Sequence, residues 1–315
     1  MKNLHIVVLA GGLSAERDVS LRSGRRIAEV VKEQGHDVEI VDVDVNLLSW
    51  LKKNKPDCVV PVVHGAVGED GALRDVLDNL KIPYVGSTGP ASRITFDKAI
   101  AKTIVAKSNI ATADSIALPH TAFRELGADV VLDAIVEDLK TPLVVKPVHG
   151  GSALGVSVVK SRAELPAAMV NAFSYDATAL VEKYISGIEL AVSVVEDSAT
   201  PRALPIVEIK PVSGIYDYSA RYTAGMVEFF TPARISESEK DLVVNTAIEI
   251  HKLLGLRDWS RIDVILGDGK VWFLEATISP GLTETSLLPL AADASDTKLG
   301  LVVNSLINKA VSRGV

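Results

Sequence analysis

Over its first ninety residues the chain alternates short, wholly apolar runs with segments of helical spacing, and few folds accept that alternation. His5-Ile-Val-Val-Leu9 reads as a strand buried on both faces, since it reserves no side chain for water. Residues 19–33 follow with Val19, Ile27, Val30 and Val31 at the spacing of one helix face. Residues 38–43 form a second strand, 47–53 a short helix, and 58–63 a third strand. Parallel strands joined by right-handed crossovers satisfy this order. Residues 70–80 add a helix and 82–86 a short strand or turn. Gly86-Ser-Thr-Gly-Pro90 then breaks the pattern.

That break is a first boundary. A second unit, 91–178, reads as helix 91–108, strand 115–118, helix 130–139, strand 143–146, a glycine-rich loop 149–155, strand 156–159 and helix 162–173. The third, 179–315, is richer in strand, at 179–184, 189–195 and 203–209. It continues with a long connection 212–232, helix 237–254, a hairpin and a helix 299–311. The fold class is therefore α/β followed by α+β, with clefts at the junctions, where small-molecule sites concentrate.

A net charge of −7 gives no electrostatic footprint for nucleic acid or an anionic membrane. The single cysteine, Cys58, lies in an apolar run and cannot form an internal disulfide, so it reads as a small core residue. The N-terminus is interrupted too early by Gly11-Gly12 for a signal peptide, and no apolar run approaches a membrane span. A cytoplasmic protein is expected.

The densest chemistry is late in the chain. Val264-Ile-Leu266 and Val271-Trp-Phe-Leu274 flank Gly267-Asp268-Gly269 as two strands of a hairpin. With a three-residue loop (268–270), Asp263 opposes Glu275 on one face, about 5 Å away. With a two-residue loop the acids fall on opposite faces. Opposed carboxylates in apolar flanks repel unless a proton or cation separates them, and magnesium suits carboxylate and phosphate oxygens. Two solvated acids on a hairpin are the alternative.

Other segments are ambiguous singly. Gly11-Gly-Leu-Ser14-Ala-Glu16-Arg17 follows the first strand without the spacing of a dinucleotide or P-loop motif, and fits a capped glycine turn. His64-Gly-Ala-Val-Gly68-Glu-Asp-Gly71 follows the third strand, so both loops lie at the sheet edge where such folds place ligands. Lys146 precedes a loop, Gly150-Gly-Ser152-Ala153-Leu154-Gly155, whose amides could cradle phosphate, or which could be a flexible hairpin. Lys98 fits a solvated helix charge, and Glu182 the edge of a strand. Tyr216, Tyr218 and Tyr222 put three of six tyrosines in one long connection, as in a lid.

Taken in order, these segments resemble the D-alanine–D-alanine ligase family of ATP-grasp enzymes over essentially the whole chain. The resemblance implies an ATP-grasp fold with a Rossmann-like N-terminal substrate domain (1–90), a central subdomain with the phosphate loop (91–178) and a C-terminal subdomain with the metal site (179–315). It implies ligation of two D-alanines, through an acyl phosphate, for peptidoglycan synthesis, and by analogy a homodimer. Lys98 and Lys146 match lysines on the ATP phosphates, with Gly151 and Ser152 in the phosphate lid. Glu182, Lys183, Tyr184 and Ile185 match the adenine hinge, and Glu189 the ribose acid. Asp263, Glu275 and Thr277 match the ligands of two magnesium (or manganese) ions. Arg261 matches the cation on the transferred phosphate, and Gly281 an oxyanion amide. Glu16 matches the acid holding the first ammonium, linked through Ser152 to Tyr222, while His64 belongs to the first subsite. Ser286 and Leu287 match the segment binding the second carboxylate.

Four positions depart from the family pattern. Glu-x-Asn is Glu275-Ala-Thr277, which weakens the expected ion site on the Thr277 side. Paired serines are Ser152-Ala153, Lys-Tyr is Arg221-Tyr222, and Leu-Gln-Gly is Leu73-Arg74-Asp75. They leave two rivals open: a related ligase joining another amino acid or amine, and a nucleotide-binding paralogue with weakened turnover.

Overall fold

The structure, a computed structural model, describes residues 3–212, 223 and 225–314. β1 (His5–Ala10), α1 (Arg17–Lys32), β2 (Asp37–Asp42), α2 (Leu47–Asn54) and β3 (Cys58–Pro61) follow in order, and the three strands pair in parallel as β2-β1-β3. Successive side chains of a strand take opposite faces. Ile6, Val8 and Ala10 accordingly join the core containing Ile27 and Val31, whereas Val7 and Leu9 join Leu51, Leu73 and Leu77.

One expected helix is found with a short helix added before it, and another is broken in the structure. α4 (Ala72–Asn79) stands where a helix over 70–80 was expected, and α3 (Ala66–Glu69) precedes it. They divide at Gly71, whose φ is +90° and where a Cβ would lie 2.4 Å from the Gly89 carbonyl oxygen. α5 (Gly89–Phe96) and α6 (Lys98–Lys107) replace the helix over 91–108. Asp97 leaves helical dihedrals and its carboxylate accepts the Ile100 amide at 2.9 Å, an N-cap that makes Lys98 the first residue of a new helix.

β4 (Ala111–Thr112), β5 (Ser115–Pro119), α7 (His120–Leu126), α8 (Ala128–Leu139), β6 (Leu143–Pro147), β7 (Ser157–Val159), α9 (Leu165–Phe173) and β8 (Thr178–Lys183) come next. An antiparallel sheet β5-β8-β6-β7 packs Leu143, Val145 and Val181 against Leu132, Ile135 and Leu165. The strand expected to open the third unit thus hydrogen bonds to the second, because β8 lies between β5 and β6.

β9 (Ile188–Val195), β10 (Arg202–Ala203), β11 (Val207–Pro211), β12 (Val227–Phe230), α10 (Glu237–Leu253), β13 (Trp259–Gly267), β14 (Lys270–Thr277), α11 (Leu287–Asp293) and α12 (Leu299–Arg313) complete the described elements. The sheet runs β12-β11-β9-β13-β14-β4, with β10 on β9. Val243, Ala247 and Ile250 of α10 cover one face. On the other, α11 and α12 merge with the N-terminal core, where Val303, Leu306 and Ile307 join Ile6 and Val8.

The hairpin settles the register question unexpectedly. Its loop is Asp268-Gly269, with φ of 53° and 69°, and Gly267 pairs with Lys270. Two left-handed residues make the tight turn that Asp-Gly favours, so the three-residue loop is not formed. That turn alone would set Asp263 against Leu274 and turn Glu275 to the other face. A β-bulge between Asp263 and Val264 takes up the extra residue and restores Asp263 opposite Glu275, with Arg261 opposite Thr277.

Candidate active site

Two cavities meet along a shared wall of Lys98, Gly150, Gly151 and Glu275. The larger, about 410 Å³, lies between the central and C-terminal sheets. It is lined by Lys146 from β6, Glu182 from β8, the segment Lys183, Tyr184 and Ile185, Glu189 from β9, and Asp263. The smaller, about 140 Å³, is lined by Glu16, His64, Glu69, Ser152, Arg261, Thr277, Gly281, Ser286 and Leu287. Every candidate residue except two therefore lines one cavity or the other. Arg221 and Tyr222 lie outside the described residues.

The larger cavity is organised by cations. Lys98 Nζ donates to the Gly150 carbonyl at 2.6 Å and lies 3.6 Å from Glu275, so it ties the glycine loop to the acid pair. Glu182 is buried, with one oxygen 2.6 Å from Lys146 Nζ and the other bonded to Lys102. Burial pushes the Glu182 carboxyl up, but the two lysines outweigh it and hold it below its usual range. Burial likewise pulls Lys146 down, but Glu182 and Glu275 keep it raised. Both Glu182 oxygens are thus engaged.

Lys102 was missed in the sequence. Its signal was the i, i+4 spacing from Lys98, which sets both ammonium groups on one face of α6.

The glycine loop turns through Ser152 and Ala153, with φ of 54° and 56°. Left-handed backbone at two successive residues with Cβ atoms is strained and persists only where the surroundings over-determine it. The anchor is the hydrogen bond from Ser152 Oγ to Glu16, which joins the loop to the N-terminal unit. Ser14 Oγ donates to the His64 carbonyl at 2.9 Å and so ties the two N-terminal loops together.

In the smaller cavity, burial pulls the His64 imidazole below its ordinary value, and its Nε2 has no hydrogen-bond partner among the described residues. Glu69 is the second missed residue. It is buried, accepts the Gly65 amide at 2.9 Å and the Thr277 hydroxyl at 3.0 Å, and burial and Glu16 push it up to about 7. Gly-Glu-Asp-Gly carries two adjacent acids, and nothing in that pattern says which is buried. Gly281 adjoins Ser286, whose Oγ lies 2.8 Å from Thr283 Oγ1.

Asp263 and Glu275 share one face, and Arg261 forks onto Asp263 with two bonds of 2.7 Å. This acid therefore already holds a cationic group. The donor set is hard oxygen, two opposed carboxylates with a hydroxyl at the next register, and it fits magnesium or manganese. No group of three or more His, Cys, Asp or Glu placed to hold a metal occurs among the described residues, so phosphate oxygens would complete the shell.

A mixed fold with a cationic nucleotide-sized cavity joined to a small polar one defines a class, the ATP-grasp ligases. The chain belongs to the D-alanine–D-alanine ligase family: the family model for the D-Ala–D-Ala ligase C-terminus matches residues 104–309. It is 36% identical over 312 residues to D-alanine–D-alanine ligase of Fervidobacterium nodosum, covering 98% of this chain and 99% of that protein. It is 38% identical over 288 residues to the enzyme of Anaeromyxobacter dehalogenans, covering 91% and 90%. Among solved structures, the VanG D-Ala:D-Ser ligase of Enterococcus faecalis superposes with a TM-score of 0.83 at 26% identity, covering 98% and 99%. The Bacillus anthracis D-alanine–D-alanine ligase complexed with ATP gives 0.81 at 27%, covering 98% of each chain.

Proposed function

We propose that the chain joins two molecules of D-alanine in an ATP-dependent ligation, supplying a peptidoglycan precursor. The observation that carries this reading is the pair of cavities meeting at Lys98, the glycine loop and Glu275. A phosphoryl donor in the larger and an acceptor in the smaller would meet at that shared wall.

ATP enters the larger cavity, its base against the backbone of 183–185, its ribose beside Glu189 and its phosphates beside Lys98 and Lys146. Glu16 holds the ammonium of the first D-alanine, and that alanine's carboxylate oxygen attacks the γ-phosphorus while the bond to the β–γ bridging oxygen breaks. ADP leaves and an acyl phosphate remains. Little covalent work falls to the protein in such a step; position and charge neutralisation dominate. Arg261 neutralises the transferred group. The second D-alanine, its carboxylate by Ser286 and Leu287, attacks the acyl carbon with its neutral amine. Gly281 N–H meets the developing oxyanion, phosphate is expelled and the amine's proton is released. Asp263, Glu275 and Thr277 would hold two divalent ions, which when bound add charge neutralisation at the phosphates. Closing the glycine loop on the Ser152–Glu16 bond excludes the water that would hydrolyse the intermediate.

Reliance on ATP and one buried, unpaired cysteine suit the cytoplasm, and no helix among the described residues is long and apolar enough to cross a membrane. The test is ADP release with D-alanine alone, then with a panel of D- and L-amino acids added. Release with D-alanine alone, and D-alanyl-D-alanine as product, is expected; no release with any pair would refute the reading. The likeness to VanG and the Thr283–Ser286 hydroxyls favour a second reading, D-serine as the second amine, which the same panel separates.

A further inference from the structure

We propose that Glu69 is a positioning residue for the cation site, accepting a hydrogen bond from the Thr277 hydroxyl so that a lone pair of the Thr277 oxygen is left to act as a ligand. The inference rests on the divalent-ion reading above. It answers a chemical problem that the Thr277 departure creates.

An asparagine amide oxygen carries lone pairs and no proton, so it can ligate a cation in whichever way its neighbours are arranged. A threonine hydroxyl carries one proton and two lone pairs and rotates freely. It presents a lone pair to a cation only when its O–H is turned towards another acceptor. Here the acceptor is Glu69 Oε1, 3.0 Å from Thr277 Oγ1. The Ser279 amide donates to the same oxygen at 3.3 Å, which uses one lone pair and leaves one. Thr277 is two residues beyond Glu275 on β14, on the same face, and opposite Arg261. The remaining lone pair therefore belongs to an oxygen already beside the acid pair.

Glu69 is equipped to hold this orientation. It is buried, and its second oxygen is fixed by the Gly65 amide at 2.9 Å. Gly65 has a φ of +81° and admits no Cβ, since one would meet Ser14 Cβ at 2.7 Å. A second departure lies against the same acid. Arg74, where the family has glutamine, is buried and donates to the carbonyl of Gly68, the residue before Glu69. Two positions that look like independent drift in the sequence thus meet at the Gly68-Glu69 segment.

The experiment is a manganese titration followed by electron paramagnetic resonance, with a non-hydrolysable ATP analogue bound to the full chain. Wild type is expected to bind two ions, one more weakly. Partners that orient a metal ligand typically change affinity by about 10- to 100-fold. Glu69→Ala should weaken the second ion by about that factor and leave the first unchanged. Thr277→Val, which keeps the side-chain shape, should do the same, and Glu69→Ala should add nothing in that background. Thr277→Asn should restore the second ion in the Glu69→Ala background, because an amide oxygen needs no proton acceptor. Equal second-ion affinity in wild type and Glu69→Ala, failure of Thr277→Asn to rescue, or a single ion in wild type would overturn the role of Glu69 while leaving the ligase reading intact. No manganese uptake by wild type would instead refute the divalent-ion reading itself.

Discussion

Glu196 offers the sharpest test of how the C-terminal helices are held. It follows β9, with one oxygen 3.3 Å from the fully buried His251 Nε2 and the other accepting the Asp258 amide at 3.3 Å, with Lys309 Nζ 3.5 Å away. The hydrogen bond with His251, joined by the Asp258 amide and Lys309, lowers its carboxyl from 4.5 to about 2 against the opposing effect of burial. A depressed carboxyl contributes stability above its unfolded pKa and loses it as pH falls towards the folded value. At 1.36 kcal/mol per pH unit, the shift corresponds to about 3 kcal/mol at pH 7 and roughly 1 kcal/mol at pH 3. Glu196→Gln keeps the shape and removes the charge. Urea denaturation of both proteins should therefore show a gap near 3 kcal/mol at pH 7 that closes by more than half at pH 3. A gap independent of pH, or below 1 kcal/mol at pH 7, would refute the assignment of the shift to this network.

Glu275→Gln should abolish ADP production with an unchanged circular dichroism spectrum; near-normal turnover would remove the cation role of the acid pair. Lys102→Met leaves one oxygen of a buried carboxylate without its donor, and breaking such pairs costs about 3–5 kcal/mol. Thermal unfolding checks that figure, and a loss below 1 kcal/mol would mean Lys146 alone satisfies Glu182. Ala153→Gly relieves one left-handed residue and should raise stability by about 1 kcal/mol. Differential scanning calorimetry reads this, and destabilisation would show that the loop's strain is not local.

The strand–helix alternation of the first unit and the hairpin itself were legible, because buried parallel strands and an Asp-Gly turn leave strong local signals. The Asp263–Glu275 pairing was legible only as a conditional. Leu274, the bulge residue, is an ordinary apolar strand residue, and nothing local marks it as the extra one. The break at Asp97 was hidden by continuous helical spacing on either side, although Asp before Lys98 is a competent cap. Candidate residues from Glu16 to Leu287 could be matched by motif, but Glu69 and Lys102 could not. Their role follows from burial and from partners 208 and 80 residues away. The packing of α12 was equally invisible: its apolar face demands a partner without naming one.

α12 closes the core that β1 begins, packing on α1 and β3. During synthesis at about 5–20 residues per second, Leu299–Arg313 emerges roughly 10–50 s after β3. For that interval the Ile6–Val8 face of the nascent sheet has only part of its cover. A chain cut short before Leu299 would therefore leave the apolar Ile6–Val8 face without the side chains of Val303, Leu306 and Ile307 that complete its core.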